Sequence, residues 1–287
     1  MTLDIQSVGT VHLGDRTVPR IGYGTMRLPG HGVWGPPPDH GAALRVLRRA
    51  VELGIRAIDT AWYYGLEVAN TLVAEALWPY PDDLVLLTKL GAWRGADGSW
   101  SVRLDAAGLR AGNERDLRSL RLEAAPVTHL RWAEPAPVPF AEALGTLLEL
   151  RDEGKIARIG LSNVSVEQLD TALRMTPIAS VSNRYSLVDR GDEAVLARCA
   201  QEGIAYLPFF LLAAGQLGAN DAVTRVAREL EATPAQVVLA WLLARSPVML
   251  PIPGTRAVAH LEENVAAAAL RLSPAHLALL DGAPGAA

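Results

Sequence analysis

A chain of 287 residues that is 50% hydrophobic and 20% charged can bury a full-sized core, which excludes disorder as its dominant state. Its 27 basic and 31 acidic residues give a formal charge of -4 and no basic face to neutralise phosphates, so no nucleic-acid partner is expected. One cysteine, Cys199, leaves no intramolecular disulfide and no cysteine-based zinc site; within EAVLARCAQEG it reads as a small buried hydrophobe.

The opening MTLDIQSVGT places Asp4 where a secretory signal needs positive charge before an apolar block, and a cytoplasmic protein is expected. SVGTVHL and RTVPRIG alternate around the pair Gly14-Asp15 and predict a β-hairpin. Short apolar or β-branched runs then recur at residues 20–24, 56–59, 84–88, 127–131, 157–161, 179–182, 204–208 and 248–251. Between them lie segments with helical spacing, among them HGAALRVLRRAVELG, EVANTLVAEAL, FAEALGTLLELRDEG, VEQLDTALRM, DEAVLARCAQEG and PAQVVLAWLLARS. Gly54, Gly154 and Gly203 stand where left-handed helix caps are wanted. The uncharged stretch 204–214 is about half the ~20 residues of a spanning helix and contains Pro208, so it reads as a buried strand and no membrane partner is expected. From Ser273 the tail reads as an extra helix and a disordered end.

Eight alternations of strand and helix predict an α/β fold, a (β/α)8 TIM barrel with an N-terminal β-hairpin and a C-terminal extra helix. No linker or composition shift divides the chain, so residues 1–287 are read as one domain. An open doubly wound sheet shares the same local units. Against it, GYGTMRLPG has a spacing other than GxGxxG and runs into a loop with Gly35-Pro36-Pro37-Pro38. Two connections on the face where barrel sites form are long, 91–104 and 211–222.

In such a barrel, functional side chains belong at the C-terminal strand ends. Asp59 ends RAID, Lys89 ends LVLLTK, and Tyr64 follows Asp59 by five residues. Only two of the basic residues are lysines; Lys155 lies in turn-like RDEGKIAR, whereas Lys89 closes an apolar run and needs a partner. A free tyrosine, with a pKa of about 10, is a poor acid near neutrality; an adjacent ammonium favours phenolate, and a carboxylate holds the ammonium in place. The trio is either a proton-donating unit or a structural ion pair below an aromatic lid.

IDTAWYYG, LLTKLG, GLSNV and IPGTRAVAHLEEN, in that order across residues 21–272, resemble the aldo-keto reductase superfamily. GPP, YPDDLVLLTK, DGSW and IPGT further resemble a bacterial subgroup, some members of which reduce pyridoxal. The resemblance implies hydride transfer from NADPH to a small-molecule carbonyl substrate. Tyr64 would be the general acid, selected over Tyr63 by the D-x4-Y spacing, with Lys89 and Asp59 tuning it. It also implies a cofactor site. Ser162 and Asn163 would hold the nicotinamide carboxamide, unless they merely lead into a helix begun by Ser165. Phe209 would stack on the nicotinamide ring or be plain core, with Phe210 and Leu212 beyond it, and Gly24 and Thr25 after the first strand. In GTRAVAHLEEN a helix N-terminus can hold a phosphate. Gly254, Thr255, Arg256 and His260 would serve the 2′-phosphate, which favours NADPH/NADP over NADH, and Glu263 and Asn264 the adenine. The plain alternative is an ordinary capped helix.

The chain also departs from the family pattern. In PVTHLRW, Arg131 or His129 replaces the usual strand-4 histidine; Arg131 is a permanent cation and cannot relay protons. Ser182 stands in place of a glutamine at the carboxamide, and Gly254 in place of a lysine. Trp34, Trp62, Trp93, Trp100 and Trp132 fall on the active face and imply an apolar or aromatic substrate such as pyridoxal, at least two of them only packing loops; Trp241 reads as core. No metal is expected, and a monomer is the family expectation. Two other functions remain: a regulatory protein that holds NADPH, and a non-redox cyclase or isomerase using Tyr64 and Arg131.

Overall fold

The computed structural model describes residues 5–211 and 220–282. β1 (Thr10–Leu13) and β2 (Arg16–Pro19) pair antiparallel about Gly14-Asp15, with Leu13 opposite Arg16. Gly14 takes φ 66°, the left-handed backbone such a turn demands. Val11, Leu13 and Val18 of this pair are buried in the same apolar cluster as Val85, Val127 and Ile159.

Next come β3 (Tyr23–Gly24), α1 (His40–Glu52), β4 (Ala57–Asp59), α2 (Val68–Leu77) and β5 (Val85–Leu90). The long connection 91–104 is not irregular: β6 (Ala92–Arg94) and β7 (Trp100–Val102) pair antiparallel within it, Arg94 opposite Trp100. The alternation resumes with α3 (Ala106–Leu120), β8 (Val127–Arg131), α4 (Phe140–Asp152), β9 (Ile159–Ser162), α5 (Val166–Met175), β10 (Ser180–Arg184), α6 (Glu193–Glu202) and β11 (Ala205–Phe209). After it follow α7 (Asp221–Glu229), α8 (Pro234–Arg245), α9 (Val258–Ala266) and α10 (Pro274–Asp281).

Seven parallel strands make one sheet in the order β11-β10-β9-β8-β5-β4-β3. Both faces are covered, so these strands are near-continuous apolar runs; all six residues of β5 are buried. The eighth run, 248–251, pairs with β11 through a single parallel bridge, Tyr206 opposite Met249, and not through a full ladder. Pro251 and Pro253 have no N–H to give a ladder. The segment still joins the two edge strands. Tyr206 of β11 donates its N–H to Val248 O and accepts from Leu250 N–H, both at 2.8 Å, and Gly22 donates to Pro251 O at 2.9 Å. The contact is close: a Cβ at Gly24 would lie 2.7 Å from Ile252 O, and one at Gly254 would lie 2.6 Å from Gly24 O.

Local chemistry accounts for the helix ends. Asp39 accepts the Ala42 N–H to start α1, and Ser165–Gln168 and Thr233–Gln236 form capping boxes on α5 and α8. Gly54, Gly154 and Gly203 have φ of 90°, 75° and 70°, as the spacing predicted. α3 carries Asn113 and Asp116 on its buried face beside Leu109, Leu117 and Leu120. Cys199 is fully buried and Lys155 exposed. Among the described residues no helix is long and apolar enough to cross a membrane.

Candidate active site

A pocket of about 530 Å³ opens at the C-terminal end of the sheet. Each of the seven strands contributes to its lining: Gly24, Asp59, Lys89, Arg131, Ser162, Ser182 and Phe209. Strand parallelism puts these side chains at one end of the sheet although they are scattered over 186 residues of sequence, from 24 to 209.

At its floor Lys89 Nζ donates to Asp59 Oδ1 in a short contact, both side chains being almost fully buried. Tyr64 sits in the turn after β4, its N–H donating to Ala61 O at 3.0 Å, with Lys89 Nζ 5.3 Å from its ring centroid. Burial drives the Tyr64 phenol well above its usual pKa; the Asp59 charge adds to this and Arg131 opposes it. The shift is upward, opposite to the lowering expected from an adjacent ammonium, because burial dominates it. A neutral phenol still carries the proton an acid must give. Burial also raises Asp59, against the pull of Lys89.

Arg131 and His129 lie on the same strand at different depths. Arg131 lines the pocket, half-buried, and makes no side-chain hydrogen bond or ion pair among the described residues. His129 is fully buried outside the lining, its Nδ1 3.3 Å from Thr88 O and its Nε2 2.9 Å from Ser180 Oγ. Burial, with Lys89 nearby, pushes its pKa down to about 3, so it is neutral at ordinary pH. The room it occupies comes from Gly160, where a Cβ would stand 2.6 Å from the imidazole.

Sequence reasoning missed the support behind Tyr64. Thr25 Oγ1 donates to Thr60 Oγ1 at 2.9 Å, and Thr60 donates to Asn70 Oδ1 at 2.7 Å. Asn70 Nδ2 and the Trp62 N–H both donate to Asp116 Oδ1 at 2.8 Å. Asp116 is fully buried, its Oδ2 has no hydrogen-bond partner, and burial pushes its pKa up to about 8. Polar residues at i and i+3 in an otherwise helical stretch, Asn113 and Asp116, were the available signal.

Of the residues expected around a cofactor, Gly24, Ser162, Ser182, Phe209, Phe210, Gly254 and Arg256 line the pocket. Ser182 stands beside Ser162 in register, its Oγ buried without a hydrogen-bond partner. Thr25 is buried in the network above. Asn163 turns its Nδ2 to Trp132 O at 3.3 Å. Thr255 is buried; its carbonyl accepts from Tyr23 and its hydroxyl from the Ala257 N–H. His260 is exposed on α9, Glu263 half-buried and Asn264 buried. Leu212 lies outside the described residues. Also in the lining, and not foreseen, are Met26 and Arg27 just after β3, together with Val33. Arg27 Cγ lies 3.6 Å from where a Cβ on Gly254 would be, so this exposed guanidinium stem fills the space of the missing side chain.

The tryptophan expectation needs correction. Trp100 lines the pocket. Trp62 is buried and packs on Trp93 at 4.6 Å, Trp132 is buried with its Nε1 donating to Glu134, and Trp34 lies on Arg94; none of these four is in the lining. They pack loops instead.

Residues 20–283 match the aldo/keto reductase family model, and the chain belongs to that family. It is 44% identical over 281 residues to pyridoxine 4-dehydrogenase of Escherichia coli K12, covering 96% of this chain and 98% of that protein. An uncharacterized oxidoreductase of Schizosaccharomyces pombe is 40% identical, covering 97% and 91%. Among solved structures, an aldo/keto reductase from Klebsiella pneumoniae in complex with NADP and acetate superposes with a TM-score of 0.81 at 29% identity, covering 95% and 94%.

Proposed function

We propose that this protein is an NADPH-dependent reductase of aromatic or heteroaromatic aldehydes and ketones, pyridoxal among them. It would act in the cytoplasm as a monomer, a single (β/α)8 barrel whose ring is completed by residues 248–253 and whose lower end is covered by the β1–β2 hairpin. The observation that carries the reading is the buried Asp59–Lys89 pair under the ring of Tyr64 at the pocket floor. A buried ion pair is weak support for stability, and its retention beside a phenol favours a chemical role.

The pocket suits the cofactor. Ser182 Oγ is a buried polar atom with a free valence where a carboxamide would need one, and the family pattern puts Phe209 beside the ring. Arg256 lines the pocket just before α9, whose N-terminus has no side-chain cap, so a phosphate can take its free N–H groups.

Bound NADPH would supply the hydride to the carbonyl carbon. Tyr64 then gives its phenolic proton to the carbonyl oxygen. Lys89, fixed by Asp59, favours the phenolate that remains until solvent returns the proton. Arg131 offers a permanent cation to the developing oxyanion, a task neutral His129 is too deep to perform. The relative named pyridoxine 4-dehydrogenase supports the substrate class, and the NADP complex of the Klebsiella protein supports the cofactor.

Titration with NADPH and with NADH, followed in one cuvette by pyridoxal, tests the reading. Tight NADPH binding with oxidation on adding aldehyde is expected. Binding without oxidation would point to a regulatory protein, and product formed without cofactor consumption to a cyclase or isomerase.

A further inference from the structure

Arg94 has no place in the chemistry above, yet its burial is unusual. It is 6% exposed, and its Nε and Nη1 are buried without hydrogen-bond partners. Nη2 alone among its guanidinium nitrogens has a partner, Gly32 O at 3.0 Å. The guanidinium lies between two indoles, its central carbon 4.2 Å from the Trp100 ring centroid and 5.1 Å from that of Trp34. Leaving two charged donors unsatisfied is costly, and cation–π contact offsets only part of it. That cost makes the contacts Arg94 does keep the place to look for its role.

What it joins is informative. Arg94 and Trp100 face one another across the β6–β7 pair, and Gly32 belongs to the loop after β3; Trp100 and Gly32 both line the pocket. Trp100 is 51% exposed, a large ring left open to solvent on the pocket rim. Its edge meets Tyr63 at 5.7 Å, and Tyr63 meets Tyr64 at 5.2 Å. One side chain therefore fastens two loops and fixes an exposed aromatic face relative to the acid.

We propose that Arg94 determines specificity: it holds Trp100 as a flat wall on which a planar aromatic carbonyl substrate stacks. The cation occupies one side of the indole, and the ring's exposed surface is left for a planar aromatic ring to stack on. Arg94 touches no reacting atom; it is a positioning residue acting through Trp100. The inference rests on the reductase reading and names the substrate class of that same pocket.

The test compares wild type with Arg94→Met and with Trp100→Ala, the latter at an exposed position that the fold does not depend on. For each, KM and kcat are measured with pyridoxal and with propanal, and calorimetry reads the binding of pyridoxine to the protein loaded with NADP. Both variants should raise KM for pyridoxal about tenfold, with kcat within threefold and propanal within twofold. Pyridoxine should bind about tenfold more weakly, and the double variant should be no worse than either single one. Equal losses on propanal, or a fall in kcat with KM unchanged, would assign Arg94 a merely structural role and overturn the proposal, as would unaltered constants. If wild type oxidises no NADPH, the reductase reading falls, and the pyridoxine comparison alone decides the wall. Equal or absent pyridoxine binding in wild type and variants then refutes it.

Discussion

Tyr63 and Tyr64 meet edge to face with ring centroids 5.2 Å apart, and it is Tyr64 that has the Lys89 ammonium over its ring, at 5.3 Å. Two adjacent phenols on one pocket wall thus have different electrostatic surroundings. Tyr63 hydroxyl is buried with no hydrogen-bond partner, so nothing holds or replaces its proton.

Tyr64→Phe should lower kcat with pyridoxal by about 10³-fold, within the range for loss of a positioned general acid, and leave the NADPH dissociation constant unchanged. Tyr63→Phe should retain turnover within a few-fold and be as stable as wild type, or more so by about 1 kcal/mol, since an unsatisfied hydroxyl is removed. Steady-state kinetics and urea unfolding on both variants separate the two phenols. Equal loss in both would remove Tyr64 from its role.

Lys89→Met leaves Asp59 buried without its partner and should cost about 3–5 kcal/mol in urea unfolding. The double variant Asp59→Asn, Lys89→Met should be more stable than the single one, because no uncompensated charge remains. Neither should turn over.

Asp116 gives a pH dependence with a definite sign. Burial pushes its folded pKa up to about 8, well above the ordinary aspartate range, so folding favours the protonated acid. Stability from this group is present below about pH 4 and is lost as pH rises towards 8. Asp116→Asn keeps an acceptor for Trp62 and Asn70 without the charge. Its advantage over wild type should grow from near zero at pH 4 to on the order of 5 kcal/mol at pH 9. Unfolding curves at the two pH values check this, and a constant difference between them would contradict it.

Arg256→Ala should weaken NADPH binding at least tenfold and change NADH binding less than twofold, since a guanidinium matches the phosphate that only NADPH carries. Fluorescence titration with both cofactors provides the comparison.

Much of this arrangement was legible before any coordinates. Glycine caps, alternating strands and the lone buried lysine follow from local rules, and Lys89 indeed meets Asp59. The eighth run forms a bridge and not a ladder, a difference that periodicity misses because it registers apolar side chains and ignores the N–H groups that Pro251 and Pro253 lack. The inward-facing Asp116 of α3 was not legible, because it serves a hydrogen-bond network that no spacing rule encodes. Tryptophan count placed five rings at the mouth, whereas packing brought Trp100 there and turned Trp34, Trp62, Trp93 and Trp132 to other work. Arg94 was invisible for a related reason: its meaning lies in what stacks on it.

Gly24 and Gly254 bring two bare backbones together where the proline-bearing segment meets β3. Few hydrogen bonds cross that line, so the edge of the sheet at β3 has a seam, and the pocket straddles it. On gentle heating or in mild urea, the protein should lose its grip on ligand while its far side, the β8–β9–β10 region, is still intact. Amide exchange would then register the earliest opening at Gly22 and Gly24, whose N–H groups cross to Pro251 O and Pro253 O, and a methyl group at Gly24 or Gly254 would wedge the seam apart.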